Sequence, residues 1–149
     1  MIHFVPVVLK EISEQGKDYL WQRPSACLRC NHYRVWSHGF VRRFFDGFLS
    51  CLHLKCYRCP ACGCVMTLRP DTHFSRVRCC REQIRSFLFL RLCEGRWPRS
   101  SLSPPRMRHW LANLLRQTKA RLTDAWQGGL LAAFDHLAAL GFVPVGRVI

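Results

Sequence analysis

Two Cys-x2-Cys pairs place the strongest constraint on the fold of this chain. Cys27 and Cys30 form the first pair, Cys59 and Cys62 form the second, and 28 residues lie between the pairs. In a cysteine-only zinc site each pair forms a tight turn, and antiparallel strands bring the four thiolates into a tetrahedron. Gly63 follows the second pair, where a small residue lets backbone N–H groups approach the sulfurs. The spacing predicts one structural Zn²⁺ with Cys27, Cys30, Cys59 and Cys62 as its ligands.

Six further cysteines leave other ligand sets open. The run Cys56-x2-Cys59-x2-Cys62-x-Cys64 shares the start of a ferredoxin-type iron–sulfur pattern, but it lacks the final Cys-Pro and leaves the first pair without a role. Surplus cysteines of this kind are more often small buried hydrophobic residues. A second metal site also stays open, with these candidate ligands: Cys56, Cys64, Cys79, Cys80, His38, His53 and His73.

The stretch between the two cysteine pairs has the pattern of a β-hairpin. Runs rich in β-branched and aromatic residues extend over 33–45 and 48–57, with Asp46-Gly47 between them. Asp-Gly between two such runs is a strong hairpin signal. A third short strand is predicted over 65–68, and residues 2–9 are expected to form an extended edge or arm.

Helical patterns begin after the cysteine-rich segment. Apolar residues at helical spacing predict one helix from Arg81 that ends before Gly95. A second helix is predicted to begin after Ser103, which serves as its N-cap, with two prolines in its first turn. A last helix is predicted over about 123–140. The order of elements is a small β-ribbon followed by helices.

The positive charge of the chain is concentrated in its middle. The whole chain has 23 basic and nine acidic residues, a net charge of +14. Residues 27–80 hold nine basic and two acidic residues, and residues 81–121 hold ten and two, whereas both ends are close to neutral. Such an excess favours an anionic partner, with nucleic acid preferred over a merely solvated basic surface.

Two groups of cations are the candidate nucleic-acid contacts. In the predicted ribbon they alternate with aromatic residues, a composition suited to backbone contacts and base stacking. These ribbon residues are Arg34, Arg42, Arg43, Lys55 and Arg58. The second group surrounds the start of the Ser103 helix, where free N–H groups and the helix dipole favour phosphate. Its members are Arg96, Arg99, Arg106 and Arg108.

These motifs resemble a known family. The resemblance is carried by Cys27-x2-Cys30, Trp36-Ser-His38-Gly39-Phe40, Leu54-Lys55-Cys56-Tyr57-Arg58-Cys59-Pro60-x-Cys62-Gly63 and Leu68-Arg69-Pro70. Together they are similar to the zinc-ribbon head of bacterial insertion-sequence transposases and related small zinc-ribbon proteins. In that family a helix-turn-helix follows the ribbon, so the resemblance implies DNA binding at transposon ends or a derived function. The chain departs from the family at Pro98, Pro104 and Pro105, which leave scarcely one helical turn between the two helices.

The patterns and the resemblance together give a fold class and a division of the chain. We expect an α+β protein, in which a small antiparallel β zinc ribbon is followed by a three-helix, helix-turn-helix-like segment. The expected parts are an N-terminal arm over 1–26, the zinc ribbon over 27–80, a basic helical, helix-turn-helix-like region over 81–122 and a C-terminal helix over 123–149.

Several classes of protein are disfavoured by the sequence. Its nine acidic residues are scattered, so we expect no catalytic carboxylate cluster and no enzyme. Apolar runs such as Phe87 to Leu90 and Leu130 to Phe134 are far shorter than the roughly 20 residues of a membrane-spanning helix. The first ten residues lack the basic start of a signal peptide, so a cytoplasmic bacterial protein, free or associated with the nucleoid, is expected.

Two functions follow as expectations. The first is a zinc-dependent nucleic-acid-binding protein, related to mobile-element transposases but without its own catalytic domain, for which duplex DNA is favoured over RNA. The second is an accessory scaffold that docks on a larger nucleic-acid enzyme (a reverse transcriptase, nuclease or transposase) and contacts RNA or single strands. A homodimer is the other expected assembly. Base readout predicts sensitivity at Arg106 and Arg108, whereas contact with single strands predicts sensitivity at Tyr57.

Overall fold

The computed structural model describes residues 1–148 as two compact units, of which the first is Met1–Arg78 and the second begins at Cys79. The first unit contains β1 (Ile2–Val5), α1 (Leu9–Gln15), a short 3-10 helix (Gly16–Asp18), β2 (Trp36–Arg43), β3 (Leu52–Arg58) and β4 (Val65–Pro70). The second contains α2 (Arg81–Glu94), α3 (Pro104–Leu122) and α4 (Gly129–Ala139). Ile149, which ends the predicted C-terminal segment, lies outside the described residues.

The first unit is built on one mixed four-stranded sheet with the strand order β1-β4-β3-β2. β2 pairs with β3, and β3 with β4, in antiparallel fashion. β1 lies parallel to β4, with Ile2 opposite Thr67 and Val5 opposite Pro70. The α+β class is therefore confirmed, and the strands of the predicted ribbon over 27–80 are antiparallel; the sheet is mixed because β1, from the predicted N-terminal arm, joins its edge in parallel. Residues 2–5 form an edge strand, a pairing between distant segments that no local sequence pattern signals.

The hairpin between the cysteine pairs is confirmed, but its connection is long. Residues 44–51 link β2 to β3, and Asp46-Gly47 lies within this loop, with Gly47 in the left-handed region at φ 88°. Phe45 leaves the strand and is buried against Leu52, Leu54 and Ile12. The predicted strands are too long because a hydrophobic residue of the loop packs into the core.

Two apolar clusters form the core of the first unit. One surrounds the cysteine pairs and contains Cys27, Val35, Tyr57, Cys59, Met66 and Leu68. The other contains Ile12, Phe45, Leu52 and Leu54. Trp21 packs against both clusters, and the fully buried Ile12 belongs to α1, a two-turn helix that was not expected from the sequence. Burial of Ile12, with Leu9 packed against the same cluster, stabilises so short a helix more than helix propensity does.

The second unit is a group of three helices. α2 ends before Gly95, which adopts the left-handed conformation at φ 71°, and α3 begins directly after Ser103, so both predictions are confirmed. α4 begins at Gly129 rather than near residue 123. Gly128 and Gly129 disfavour helical structure, so the helix does not extend back beyond them. α3 contacts α2 and α4, and its buried residues include Met107, Trp110 and Leu114.

Two polar side chains of α3 hold the segment that follows α4. Asn113 is buried, and its amide donates hydrogen bonds to the carbonyl of Val145 and to His109 Nε2, both at 2.9 Å. The amide of Gln117 donates to the carbonyls of Gly146 and Arg147 at 3.2 and 3.1 Å. These bonds satisfy backbone acceptors that lie outside regular secondary structure.

Candidate metal centre and nucleic-acid interface

The fold brings the two cysteine pairs together. The Sγ atoms of Cys27, Cys30, Cys59 and Cys62 all lie within 4.8 Å of one another. The shortest distances cross between the pairs: Cys27 Sγ lies 3.6 Å from Cys62 Sγ, and Cys30 Sγ lies 3.5 Å from Cys59 Sγ. Four thiols at these distances form a compact group that could hold one metal ion.

The two cysteine loops have the same backbone hydrogen bonds. The N–H of Cys27 donates to the carbonyl of His32, and the N–H of Asn31 donates back to the carbonyl of Cys27, each at 2.9 Å. The Cys59 loop repeats both bonds at 2.9 and 3.0 Å, with Gly63 in the place of Asn31. Both of these residues have positive φ, 56° and 69°. The sequence signals Gly63 as a turn residue, whereas Asn31 was missed, although Asn is the next most tolerant residue of this conformation.

The four thiols do not ionise independently. Backbone N–H groups, first that of Cys30 and then that of Arg29, lower the pKa of Cys27 to about 6. At Cys62 the N–H of Cys64 acts in the same direction, but burial and the three neighbouring thiols raise the pKa to about 12. Several thiolates this close repel one another unless a cation lies between them. The site is therefore suited to a cation and unsuited to four free thiolates.

The centre is closed on one side and open on the other. Cys27 and Cys59 are buried, Cys62 is half-buried and Cys30 is exposed. Within residues 1–148 no other group of three or more His, Cys, Asp or Glu side chains is close enough to hold a metal ion. The candidates for a second site have other contacts: Cys56 bonds Thr67, Cys79 bonds Gln83, and His73 packs edge-on against Phe45.

An exposed tryptophan stands between two clefts near the metal centre. Trp36 is 59 % exposed at the start of β2, opposite Arg58 of β3. With Tyr33 and Arg34 it lines a cleft of about 410 Å³, and with Arg58 it lines another of about 390 Å³. Two of the predicted ribbon cations, Arg34 and Arg58, thus flank one exposed aromatic ring.

The other ribbon cations lie elsewhere. Arg42 and Arg43 are exposed at the end of β2, away from the cysteine loops. Lys55 is half-buried, and its Nζ lies 4.4 Å from the ring centroid of Phe40. Tyr57 is 6 % exposed and belongs to the core, so its ring face is not open to an unpaired base, and the sensitivity predicted for Tyr57→Ala stays a prediction. Tyr33, Trp36 and Phe44 are aromatic residues of the same region with exposed rings.

The four predicted cations around the start of α3 differ in how accessible their charges are to a ligand. Arg96 forms an ion pair with Glu94 at 2.7 Å, so its charge is already neutralised. Arg106 is half-buried, and its guanidinium lies 5.3 Å from the ring centroid of Trp110. Arg99 and Arg108 are exposed. Among the four predicted residues, Arg99 and Arg108 have the most accessible charge.

One side of α3 carries a stripe of cations that sequence reasoning missed in part. Arg108, Arg116 and Lys119 are exposed at positions i, i+8 and i+11, which share one face of a helix. We call these three residues the α3 stripe; it spans about 16 Å along the helix axis. None of the 19 residues of α3 is acidic. The helical spacing of Arg108, Arg116 and Lys119 in the sequence was the signal that would have identified Arg116 and Lys119.

Comparisons with known proteins do not place the chain in a family. No family model, no curated protein and no solved structure matches it. Among the described helices none has both the length and the apolar character needed to cross a membrane.

Proposed function

We propose that this protein binds nucleic acid, with duplex DNA as the favoured ligand, and that a Zn²⁺ ion bound to Cys27, Cys30, Cys59 and Cys62 stabilises its first unit. The zinc assignment is supported by the ligand type and spacing. Four thiolates at a Zn–S distance of about 2.3 Å in a tetrahedron lie about 3.8 Å apart. The short distances of 3.5 and 3.6 Å in this centre are close to that value.

The observation that carries the binding proposal is the α3 stripe. Three exposed cations lie along one face of a helix that has no acidic residue. A duplex presents a regular array of phosphates, and a helix fits its major groove. In this reading the second unit is helix-turn-helix-like, with α3 as the recognition helix and Arg106 and Arg108 at its start. The resemblance to transposase heads supports the same choice.

A second candidate function rests on a separate observation. Trp36 is exposed between Arg34 and Arg58, and Tyr33 is exposed beside it. Aromatic faces flanked by cations bind unpaired bases by stacking, without a need for sequence readout. This arrangement favours an accessory subunit that contacts RNA or single-stranded DNA while docked on a larger nucleic-acid enzyme.

Binding assays with three probes distinguish the two functions. Fluorescence anisotropy is measured with labelled duplex DNA, single-stranded DNA and hairpin RNA at about 50 and 200 mM salt, a range over which phosphate contacts weaken steeply. The double variant Arg116→Gln/Lys119→Gln is compared with Lys10→Gln/Lys17→Gln, which removes two exposed charges from the first unit.

The duplex function predicts tightest binding to duplex DNA and a specific loss in the α3 variant. Removal of two phosphate contacts is expected to lower the magnitude of the salt slope by roughly 1.8. The Lys10→Gln/Lys17→Gln control is expected to keep the original slope. Equal losses in both variants, or affinity for duplex that does not change with salt, would contradict the proposed role of α3. A preference for single strands would favour the accessory function.

A further inference from the structure

A cleft in the first unit is surrounded by five arginines. It has a volume of about 480 Å³, and its lining includes Arg42, Arg43, Arg69, Arg76 and Arg78. We call these five residues the arginine cleft. They come from the end of β2, the end of β4 and the segment after β4. None of the described residues that line the cleft is acidic.

Arg69 is the unusual member of this group. Only 5 % of its surface is exposed. Its Nε donates to the carbonyl of Phe74 at 3.2 Å, its Nη2 donates to the carbonyl of Val77 at 2.8 Å, and its guanidinium lies over the ring of Phe45. Burial lowers its pKa, and the nearby charge of Arg43 lowers it further. Neutral carbonyls orient this cation but do not balance its charge.

The four surrounding arginines also keep their charge. None of the five forms an ion pair with a carboxylate in the part of the chain that the structure describes. Arg76 holds an uncommon left-handed conformation at φ 62°. It lies in the segment after β4 that provides Arg76, Val77 and Arg78 to the lining of the cleft. A solvated basic surface would explain the exposed arginines, but it gives no reason to bury Arg69 beside Arg43, because like charges repel.

An anion in the cleft would offset both the cost of burying the charge of Arg69 and the repulsion between Arg69 and Arg43. Arginine presents several N–H donors in a planar fork, which matches the oxygens of phosphate. The cleft has a volume of about 480 Å³ and is open to solvent. The cleft is therefore large enough for more than one phosphate group. Its lining takes Arg42 and Arg43 from the end of β2, and Arg76 and Arg78 from the segment after β4.

We propose that the arginine cleft is a phosphate-binding site, which takes either successive phosphodiesters of a nucleic-acid strand or a free polyphosphate. As a contact for a strand, the site rests on the proposed function and adds Arg69, Arg76 and Arg78 to the predicted contacts. As a site for free polyphosphate, it is independent of that function.

The test uses the full chain and two probes. Pyrophosphate and a labelled single-stranded oligonucleotide are titrated at low salt, the first by calorimetry and the second by anisotropy. The test variant is Arg43→Gln/Arg76→Asn, because Asn tolerates the left-handed backbone at position 76. The matched control is Lys10→Gln/Lys17→Gln, which removes the same charge elsewhere in the first unit. Circular dichroism checks that both variants fold.

The expected result is a loss of affinity of about tenfold or more in the test variant and less than about twofold in the control. Loss with both probes supports one site for both ligands. Loss with pyrophosphate alone assigns the site to free phosphates, and loss with the oligonucleotide alone assigns it to a strand. Equal affinity of the test variant and the control for both probes would overturn the proposal. If the chain binds pyrophosphate but no nucleic acid, the cleft stands and the proposed function fails.

Discussion

Asn31 and Gly63 occupy the same backbone position in the two cysteine loops. Each is the residue after the second cysteine of its pair, each has positive φ, and each donates its N–H to the carbonyl of the first cysteine. The two halves of the metal centre are therefore equivalent in backbone structure although their sequences differ.

This equivalence predicts that a substitution at one position destabilises the chain and that a substitution at the other does not. Gly63→Ala is expected to lower the free energy of unfolding by about 1–2 kcal/mol, because a side chain disfavours the left-handed conformation. A Cβ at position 63 has only an ordinary contact at 4.0 Å, so the backbone is the cause. Asn31→Gly is expected to be neutral within about 0.5 kcal/mol. Denaturant unfolding of the metal-loaded chain measures both values, and equal losses would contradict the equivalence.

The ligand set is tested by metal content. Cys59→Ala is expected to abolish stoichiometric zinc and to weaken the folding of the first unit, because structural zinc contributes folding free energy. Cys64→Ala is the control, since Cys64 packs beside the same cluster but lies outside the group of four cysteines, with its Sγ 3.8 Å from the carbonyl of Val65. The measurement is zinc per chain by mass spectrometry. Normal zinc in Cys59→Ala, or visible iron–sulfur absorbance of the purified protein, would refute this ligand set.

The sequence predicted the grouping of the four cysteines because its signals are local. Each cysteine pair specifies its own tight turn, and the hairpin between the pairs brings the turns together. The bounds of α2 and the start of α3 were predicted for a similar reason, since Gly95 and Ser103 mark helix ends. The start of α4 was placed too early because apolar spacing outweighed Gly128 and Gly129.

The remaining features depend on contacts between distant segments. The pairing of β1 with β4 joins residues 2–5 to residues 67–70. The burial of Tyr57 and the exposure of Trp36 arise in the folded unit, so composition alone could not distinguish these two aromatic residues. Arg69 was seen only as part of a family motif, because its burial beside Arg43 arises from the folded sheet.

The exposed aromatic near the metal centre predicts a contribution to single-strand binding. Trp36→Ala is expected to weaken binding of single-stranded DNA by about 1–3 kcal/mol if one base stacks on the ring. Its indole fluorescence is expected to be quenched on binding in the native chain. Leu49→Ala, at a fully exposed apolar residue of the hairpin loop, serves as the control. Unchanged affinity of Trp36→Ala would exclude stacking at this position.

The buried amide of Asn113 predicts a stability effect in the second unit. Asn113→Ala is expected to cost about 1–3 kcal/mol, because the carbonyl of Val145 loses its donor. Leu115→Ala, on the exposed side of α3, is expected to cost much less. Thermal unfolding compares the two variants, and limited proteolysis reports whether residues 141–148 are released. A neutral Asn113→Ala would contradict the proposed role of this hydrogen bond.

The ion pair between Arg85 and Asp135 predicts a pH dependence. Hydrogen bonds from Arg85 at 2.8 Å hold the pKa of Asp135 below its usual value. A lowered carboxyl pKa contributes stability that is present above the ordinary value of about 3.9 and is lost as the pH falls through the lowered value. Asp135→Asn is therefore expected to be destabilising at pH 7 by less than about 1 kcal/mol, since both groups are half exposed.

Acid titration provides the check on this sign. The difference in unfolding midpoint between the native chain and Asp135→Asn is expected to shrink as the solution is acidified. Asp124→Asn, at an exposed carboxylate near the end of α3, is the control and is expected to show a smaller difference at neutral pH. A difference that grows on acidification would refute the assignment.

The edge strand β2 has a consequence for self-association. An open strand edge is a template for addition of a strand from another molecule. In β2 the register shifts between Ser37 and Phe40, Gly39 adopts φ 81°, and Arg42 and Arg43 are exposed at the end of the strand. The irregularity interrupts a continuous ladder, and the two arginines add exposed charge to the edge. Both features are devices by which edge strands resist uncontrolled strand addition, so this edge is a poor template for aggregation.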